Sequence, residues 1–125
     1  MSTTPNAVIS AWSERKGPLI LTTVDTNGTP NSIYATCTKM LDDGSIVVAD
    51  NYFKKTQENI LAGSKGSILF ITNDGKAYQV KGKIEYIKEG PIFDDMKSWN
   101  PAKHPGHAAA VLRVEEAYSG AEKLS

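Results

Sequence analysis

The chain has 125 residues, which suits a single domain over 1–125, and its 14 basic residues balance 14 acidic ones. Such neutrality argues against a nucleic-acid partner held by bulk charge. Because Cys37 is the only cysteine, an intrachain disulfide is excluded. The sequence shows neither a signal peptide nor a run of roughly 20 apolar residues. We therefore expect a cytoplasmic protein without a membrane partner.

The first half of the chain predicts one helix and then three strands. Thr4 is a suitable cap for the helix, Pro5 suits its first turn, and Gly17-Pro18 ends it. Short Asp- and Gly-containing turns separate the strands, so we expect an antiparallel meander. The three strands cover residues 19–24, 31–40 and 45–49.

The second half predicts two helices and three further strands. A helix over 55–61 has Ile60 and Leu61 as apolar anchors, and another covers 91–99. Gly82 lies on the apolar face of the middle strand, where it would allow a bend or a close approach of another backbone. The strands cover residues 67–72, 78–86 and 108–114.

The order of these elements predicts a mainly β fold, a six-stranded antiparallel β-barrel with peripheral helices. A barrel closes the exposed edges that a flat antiparallel sheet would leave. A doubly wound α/β fold is disfavoured, because it alternates strands with helices and needs long crossovers between parallel strands.

Two lysines and a threonine, Lys54, Lys55 and Thr56, stand where the helix over 55–61 begins. The positive end of a helix dipole disfavours each cation there by about 0.3–1 kcal/mol. A bound phosphate would pair with the lysines, accept the free amide hydrogen bonds and bond to the Thr56 hydroxyl. The alternative is a solvated helix start capped by Thr56, and no Gly-rich phosphate loop decides between the two.

Four pieces of the sequence, in their order and spacing, resemble a known family. They are Lys-Met-Leu-Asp at 39–42, Ile-Val-Val at 46–48, Lys55-Thr56 followed by Asn59, and the last strand at 108–114. Together with the element order they make the chain resemble the split-barrel flavoproteins related to pyridoxamine 5'-phosphate oxidase, in particular the small FMN-binding proteins of sulfate-reducing bacteria. The resemblance implies a split β-barrel, FMN as cofactor, and a role in electron transfer or as an oxidoreductase.

The resemblance also implies roles for individual residues. Lys55 and Thr56 would hold the FMN phosphate, and Lys54 would add positive charge. The strand beside the phosphate and the ribityl chain would contribute Ser32, Ile33, Tyr34, Ala35 and Thr36. The strand end whose backbone borders the isoalloxazine ring would contribute Ala49, Asp50 and Asn51. The family is usually a homodimer with two flavins at its interface, and Trp99 would lie near the region that covers the ring from the second subunit.

The sequence also departs from the family's best-known enzymes. Pyridoxamine-phosphate oxidases proper use arginines for FMN and substrate, and a further C-terminal segment, whereas this chain has only Arg15 and Arg113. We therefore do not expect vitamin B6 oxidation, and the substrate and redox partner stay open. An Asp50 carboxylate pointing at the ring would lower the flavin potential. The alternatives are the same fold with deazaflavin or haem, and a small barrel that binds single-stranded nucleic acid without redox chemistry.

Cys37 and the two histidines are weaker signals. Cys37, on the strand that would run beside the ribityl chain, is expected to be a buried and inert thiol. His104 and His107 lack a third metal ligand and are expected at the surface, where His104 could line the mouth of the cofactor site.

Overall fold

In a computed structural model that describes residues 3–125, three short helices surround one curled antiparallel sheet. The helices are α1 (Asn6–Trp12), α2 (Lys55–Leu61) and α3 (Pro91–Trp99). The strands are β1 (Leu19–Val24), β2 (Pro30–Ala35), β3 (Thr38–Met40), β4 (Ile46–Asp50), β5 (Lys65–Ile71), β6 (Ala77–Ile87), β7 (Ala108–Ser119) and β8 (Glu122–Lys123). In the described part of the chain, no helix has the length and apolar character that a bilayer span requires.

The described residues form eight strands where six were predicted. The predicted strand over 31–40 divides at Thr36 and Cys37 into β2 and β3, and the short strand β8 was not expected. The sheet order is β2-β1-β5-β6-β7-β4-β3, with β8 paired to β7. Both antiparallel pairings of the predicted meander are present, β1 with β2 and β3 with β4, but the division of the middle strand places β2 and β3 at opposite edges of the sheet.

The two residues between β2 and β3 join the two edges of the sheet and force it to curl. Seven strands about 4.8 Å apart would place the edges of a flat sheet roughly 29 Å from each other. The link from Ala35 to Thr38 spans three peptide units, which reach at most about 11 Å. The sheet therefore rolls up until β2 approaches β3, which confirms the predicted mainly β split barrel.

The barrel interior is filled by alternate residues of its strands. Leu19 and Leu21 of β1 are buried, and the Trp12 ring of α1 meets the Phe70 ring of β5 edge-on at 5.4 Å between centroids. Strand β4 is buried along its whole length, because a second apolar cluster around Met96 of α3 covers its other face. This double burial holds the end of β4, and the segment that follows it, in a fixed position.

Gly82 confirms the expectation of a close backbone approach. The register between β6 and β7 shifts between Lys81 and Gly82. A Cβ at Gly82 would overlap the carbonyl oxygen of Arg113 and lie 2.8 Å from its carbonyl carbon. Only glycine fits here without separating the two longest strands of the sheet.

Two local expectations are wrong. Thr4 does not cap α1; its hydroxyl instead donates a hydrogen bond to the carbonyl oxygen of Gly44 at 2.8 Å, and Pro5 occupies the N-cap position. Leu61 does not anchor α2, since it is 65% exposed while Ile60 is buried. In both cases the distant parts of the chain decide which side chain turns inward.

Candidate functional site

A cavity of about 420 Å³ lies between β2, the end of β4 and the start of α2. Small-molecule sites commonly have volumes of about 300–1,000 Å³. Most of the predicted cofactor-binding residues line it: Ile33, Tyr34, Ala35, Thr36, Ala49, Asn51, Lys54, Lys55 and Thr56. The other lining residues are Asn31, Cys37, Tyr52, Phe53 and His104. The fold therefore brings three separate segments together at one cavity.

Strand β2 forms one wall of this cavity and presents a free edge. Within residues 3–125, β2 pairs only with β1, so alternate N–H and C=O groups of its backbone point away from any strand partner. Tyr34 on this strand is 75% exposed. Ser32 does not line the cavity, and its hydroxyl lies 2.7 Å from Thr22 Oγ1 of β1. The free backbone groups are suited to bind the hydroxyl groups of a ligand.

The start of α2 forms the opposite wall. Lys54 occupies the N-cap position, and no side chain caps the helix. Thr56 is almost completely buried, and its hydroxyl oxygen accepts a hydrogen bond from Asn31 Nδ2 at 3.2 Å. Thr56 is thus fixed to β2 and is not the simple helix cap that the sequence left as an alternative.

The charged groups at the cavity are positive. Lys54 and Lys55 line it, and no carboxylate of the described residues does. Lys55 Nζ lies 3.8 Å from Asp25 Oδ2 and 4.0 Å from Glu58 Oε1, with its side chain half exposed. Pairs this long and this exposed hold a lysine weakly. An anion in the cavity would therefore find two lysine ammonium groups available to it.

Asp50 lies behind the wall of the cavity. It is 1% exposed, and its Oδ1 accepts a hydrogen bond from the Phe53 backbone N–H at 3.0 Å. Its Oδ2 accepts a hydrogen bond from the Tyr86 hydroxyl, which in turn accepts one from Gln57 Nε2 at 2.8 Å. The carboxylate is thus engaged inside the protein, and Asp50 does not line the cavity.

The Asn51 side chain holds the loop that follows α3. Asn51 Nδ2 donates to Asn100 Oδ1 at 3.1 Å, and Asn100 Nδ2 donates back to Asn51 Oδ1 at 2.8 Å. The Gly106 N–H also donates to Asn51 Oδ1, at 2.9 Å. The Asp50 carbonyl oxygen accepts a hydrogen bond from the His107 N–H at 2.8 Å. These bonds pin both ends of the loop that carries His104.

Tyr52 and His104 meet at the mouth of the cavity. The Tyr52 hydroxyl lies 3.0 Å from His104 Nδ1, and the two rings are nearly perpendicular with centroids 5.5 Å apart. Tyr52 is 72% exposed. His104 therefore lines the mouth of the site, as the sequence suggested.

Trp99 does not line this cavity but an adjoining one of about 510 Å³. Its Nε1 donates a hydrogen bond to Asp95 Oδ2 at 3.3 Å. The two cavities share Thr36, Cys37 and His104. Trp99 thus lies one cavity away from Lys54, Lys55 and Thr56.

The family assignment comes from the sequence as a whole. The sequence model of the family described as pyridoxamine 5'-phosphate oxidase matches residues 6–120. This chain belongs to that family. A protein of Methanocaldococcus jannaschii, itself uncharacterized, is 30% identical to this family member over 106 residues, which cover 81% of this chain and 71% of that one.

Solved structures share the split barrel of the pyridoxamine 5'-phosphate oxidase family. HupZ of Group A Streptococcus superimposes with a TM-score of 0.78 at 22% identity, covering 94% of each chain. An FMN-binding protein from Syntrophomonas wolfei superimposes with a TM-score of 0.75 at 22% identity, covering 88% of this chain and 81% of that one. At these identities the likeness concerns the fold.

Two residues that line the 420 Å³ cavity were not predicted from the sequence. Asn31 bonds to Thr56, 25 residues further along the chain, and no local pattern signals such a pair. Phe53 is placed by its backbone bond to Asp50 and also packs against the barrel interior. The aromatic pair Tyr52-Phe53 directly before the lysines was the one signal available for it.

Proposed function

We propose that this chain binds FMN in the 420 Å³ cavity and acts as a redox protein. The observation that carries the proposal is the composition of that cavity. It brings Lys54, Lys55 and Thr56 to the same place as β2 and Ala49. These are the segments that the family resemblance assigns to the phosphate, the ribityl chain and the ring.

The chemistry of the lining residues fits FMN part by part. Lys54 and Lys55 would form charge-assisted hydrogen bonds to the phosphate, and Thr56 would add a hydroxyl. The free edge of β2 would bind the ribityl hydroxyls. Ala49, a small residue at the end of β4, leaves space beside the backbone for a flat ring. When bound, the flavin supplies the redox chemistry, while these residues bind and orient it.

We include in the proposal a homodimer with FMN at the subunit interface. Tyr34 and Tyr52, both largely exposed beside the cavity, would be covered by a second subunit. The partner's covering residues would include Trp99, as the resemblance implies. Analytical ultracentrifugation of the FMN-loaded protein should give twice the chain mass, and a monomer would contradict this part. The cytoplasmic location expected from the sequence also remains part of the proposal.

The first experiment is the visible spectrum of the purified protein, followed by titration of the cofactor-free protein with FMN. We expect flavin absorption bands and stoichiometric quenching of FMN fluorescence. NADH or NADPH should then be added to the complex, because bleaching would favour an oxidoreductase over a simple electron carrier. A protein that stays colourless with FMN would contradict the proposal. A deazaflavin or haem spectrum would favour the same fold with another cofactor.

The second experiment replaces the phosphate-binding residues. Lys55→Ala should weaken FMN binding about 10- to 100-fold, because a hydrogen bond to a charged group contributes about 1.5–3 kcal/mol. Thr56→Ala should also weaken it, and Thr56→Ser should restore much of the affinity. Lys88→Ala is the matched control, since Lys88 is exposed and lines neither cavity. Equal FMN affinity in Lys55→Ala and Lys88→Ala would refute the phosphate role.

A non-redox module for single-stranded nucleic acid is the second candidate function. The exposed Tyr34 and Tyr52 beside two lysines are the observation in its favour, since bases stack on such rings. A salt-dependent gel shift with random oligonucleotides, without any FMN binding, would favour it over a flavoprotein.

A further inference from the structure

The second cavity, next to Trp99, has the composition of a binding site in its own right. It is an open cavity of about 510 Å³, slightly larger than the proposed FMN cavity. Its lining residues come from the link between β2 and β3, from α3 and from the loop after α3: Thr36, Cys37, Thr38, Lys39, Trp99, Pro101, Lys103 and His104. None of the roles assigned above, apart from that of Trp99 as a ring cover in a dimer, requires this cavity.

The position of the second cavity relates it to the first. Thr36, Cys37 and His104 line both, so the two cavities adjoin each other across these residues. His104 is held in this dividing wall by the Tyr52 hydroxyl at 3.0 Å. A molecule in the second cavity would therefore be a direct neighbour of whatever fills the first.

The charge of the second cavity selects an anion. Within residues 3–125, two lysines and no carboxylate line it. Lys39 Nζ is 2.8 Å from Asp95 Oδ2, outside the lining, and this bond lowers the pKa of the Asp95 carboxyl so that it stays ionised. Lys103 forms no ion pair with any residue of the described range, and thus carries the uncompensated charge. One negative group on the ligand would suffice to balance it.

The Trp99 ring in the lining of the second cavity favours a flat, aromatic ligand. Trp99 forms one wall of this cavity. Its orientation is fixed because its Nε1 donates a hydrogen bond to Asp95 Oδ2, the same oxygen atom that pairs with the Lys39 ammonium group. The ring also packs against the apolar cluster under α3, which includes Met96. A tryptophan held in this way offers an apolar surface on which an aromatic ring can stack at little entropic cost.

We infer that this second cavity binds a small aromatic anion, such as a carboxylate or sulfonate, beside the cofactor. Lys103 binds the anionic group, Trp99 stacks on the ring, and the shared wall at Thr36 and His104 places the ligand against the first cavity. The binding itself depends on the second cavity alone. That the bound anion lies beside a flavin rests on the proposed function.

The test is calorimetric titration of the FMN-loaded protein with naphthalene-2-sulfonate, with 2-naphthylmethanol as its uncharged counterpart. FMN then occupies the first cavity, so the probe reports on the second. We expect the sulfonate to bind and to shift the visible flavin bands, while the alcohol binds at least about threefold more weakly. Equal binding of the two probes would overturn the charge assignment.

Variants locate the binding site. Lys103→Glu should weaken sulfonate binding about tenfold while leaving FMN affinity unchanged, and Trp99→Phe should retain more binding than Trp99→Ala. Lys88→Glu makes the same charge change away from both cavities and is the control. Equal sulfonate affinity in Lys103→Glu and Lys88→Glu would refute the site.

The same titration remains decisive if the protein does not bind FMN. In the cofactor-free protein, sulfonate binding that is lost in Lys103→Glu but kept in Lys55→Glu supports the second cavity, although the proposed function has failed. Binding that is lost in Lys55→Glu and kept in Lys103→Glu shows that the probe occupies the first cavity, and overturns the inference.

Discussion

The hydroxyl of Tyr86, on β6, donates a hydrogen bond to the buried carboxylate of Asp50 at the end of β4. The same hydroxyl accepts a hydrogen bond from Gln57 of α2 at 2.8 Å. Asp50 also fixes the Phe53 N–H in the segment that leads into α2. One buried cluster therefore joins two strands of the barrel to the helix that carries Lys55 and Thr56.

Removing the Tyr86 hydroxyl should weaken both folding and FMN binding. Tyr86→Phe leaves a buried Asp50 oxygen without its donor, which costs about 1–3 kcal/mol. The start of α2 loses a support, so FMN affinity should fall as well. Urea unfolding and FMN titration measure the two effects. Tyr118→Phe is the control, because the Tyr118 hydroxyl donates its hydrogen bond to Glu116 on the outside of the sheet. If Tyr118→Phe lost as much stability as Tyr86→Phe, the role of the cluster would be refuted.

Tyr86 should also produce a distinct alkaline titration. Burial, and after it the hydrogen bond to Asp50, raises its pKa to about 12, while the hydrogen bond from Gln57 opposes the shift. In the unfolded chain a tyrosine loses its proton near pH 10. The folded state thus holds this proton more tightly, so its contribution to stability is full below about pH 10 and is lost as the pH rises towards about 12.

The near-ultraviolet absorbance of tyrosinate measures this titration. Tyr86 should titrate near pH 12 in the folded protein, and this step should disappear in Tyr86→Phe. If the absorbance curves of the wild type and Tyr86→Phe differ by a step near pH 10 instead, Tyr86 is not held by the cluster.

The sequence predicts the individual helices and strands well, but it does not predict that a strand divides to join the two edges of the sheet. Helix α3 and the long strand β6 have clear periodicity, and both lie where that periodicity places them. The division at Thr36 and Cys37 carries no glycine or proline to announce it. It depends on the strand leaving one sheet edge and joining the other, which is a property of the closed barrel and not of the ten residues concerned.

The candidate site shows the same limit at the level of single side chains. The backbone path through residues 49–56 and the two lysines could be expected from the pattern of a strand followed by a helix. The fates of the Asp50 and Asn51 side chains could not, because their partners Tyr86 and Asn100 lie 36 and 49 residues away. Buried polar groups take whatever partner the tertiary structure brings close.

The Asn51 side chain should prove necessary for the order of the loop after α3. Asn51→Ala removes the partner of the buried Asn100 amide and of the Gly106 N–H, so stability should fall by about 1–3 kcal/mol. Amide hydrogen exchange at Gly106 should accelerate more than exchange in β6. Asn73→Ala, at an exposed turn, is the control. Unchanged exchange at Gly106 in Asn51→Ala would show that the loop is held by other contacts.

Gly82→Ala should be the most destabilising of these substitutions. Its methyl group would overlap the Arg113 carbonyl oxygen and lie 3.2 Å from the Glu115 nitrogen, and both are backbone atoms that cannot rotate away. Strands β6 and β7 would have to separate where their register shifts, at a cost of about 3 kcal/mol or more.

Gly120→Ala separates this steric overlap from backbone strain. Gly120 has a positive φ of 57° but open space around it, so alanine there should cost only about 1 kcal/mol. Thermal and urea unfolding of the two variants measure the difference. If Gly82→Ala unfolds within about 1 kcal/mol of Gly120→Ala, the two strands can yield at the bulge, and the close approach of their backbones is not what requires glycine at this position.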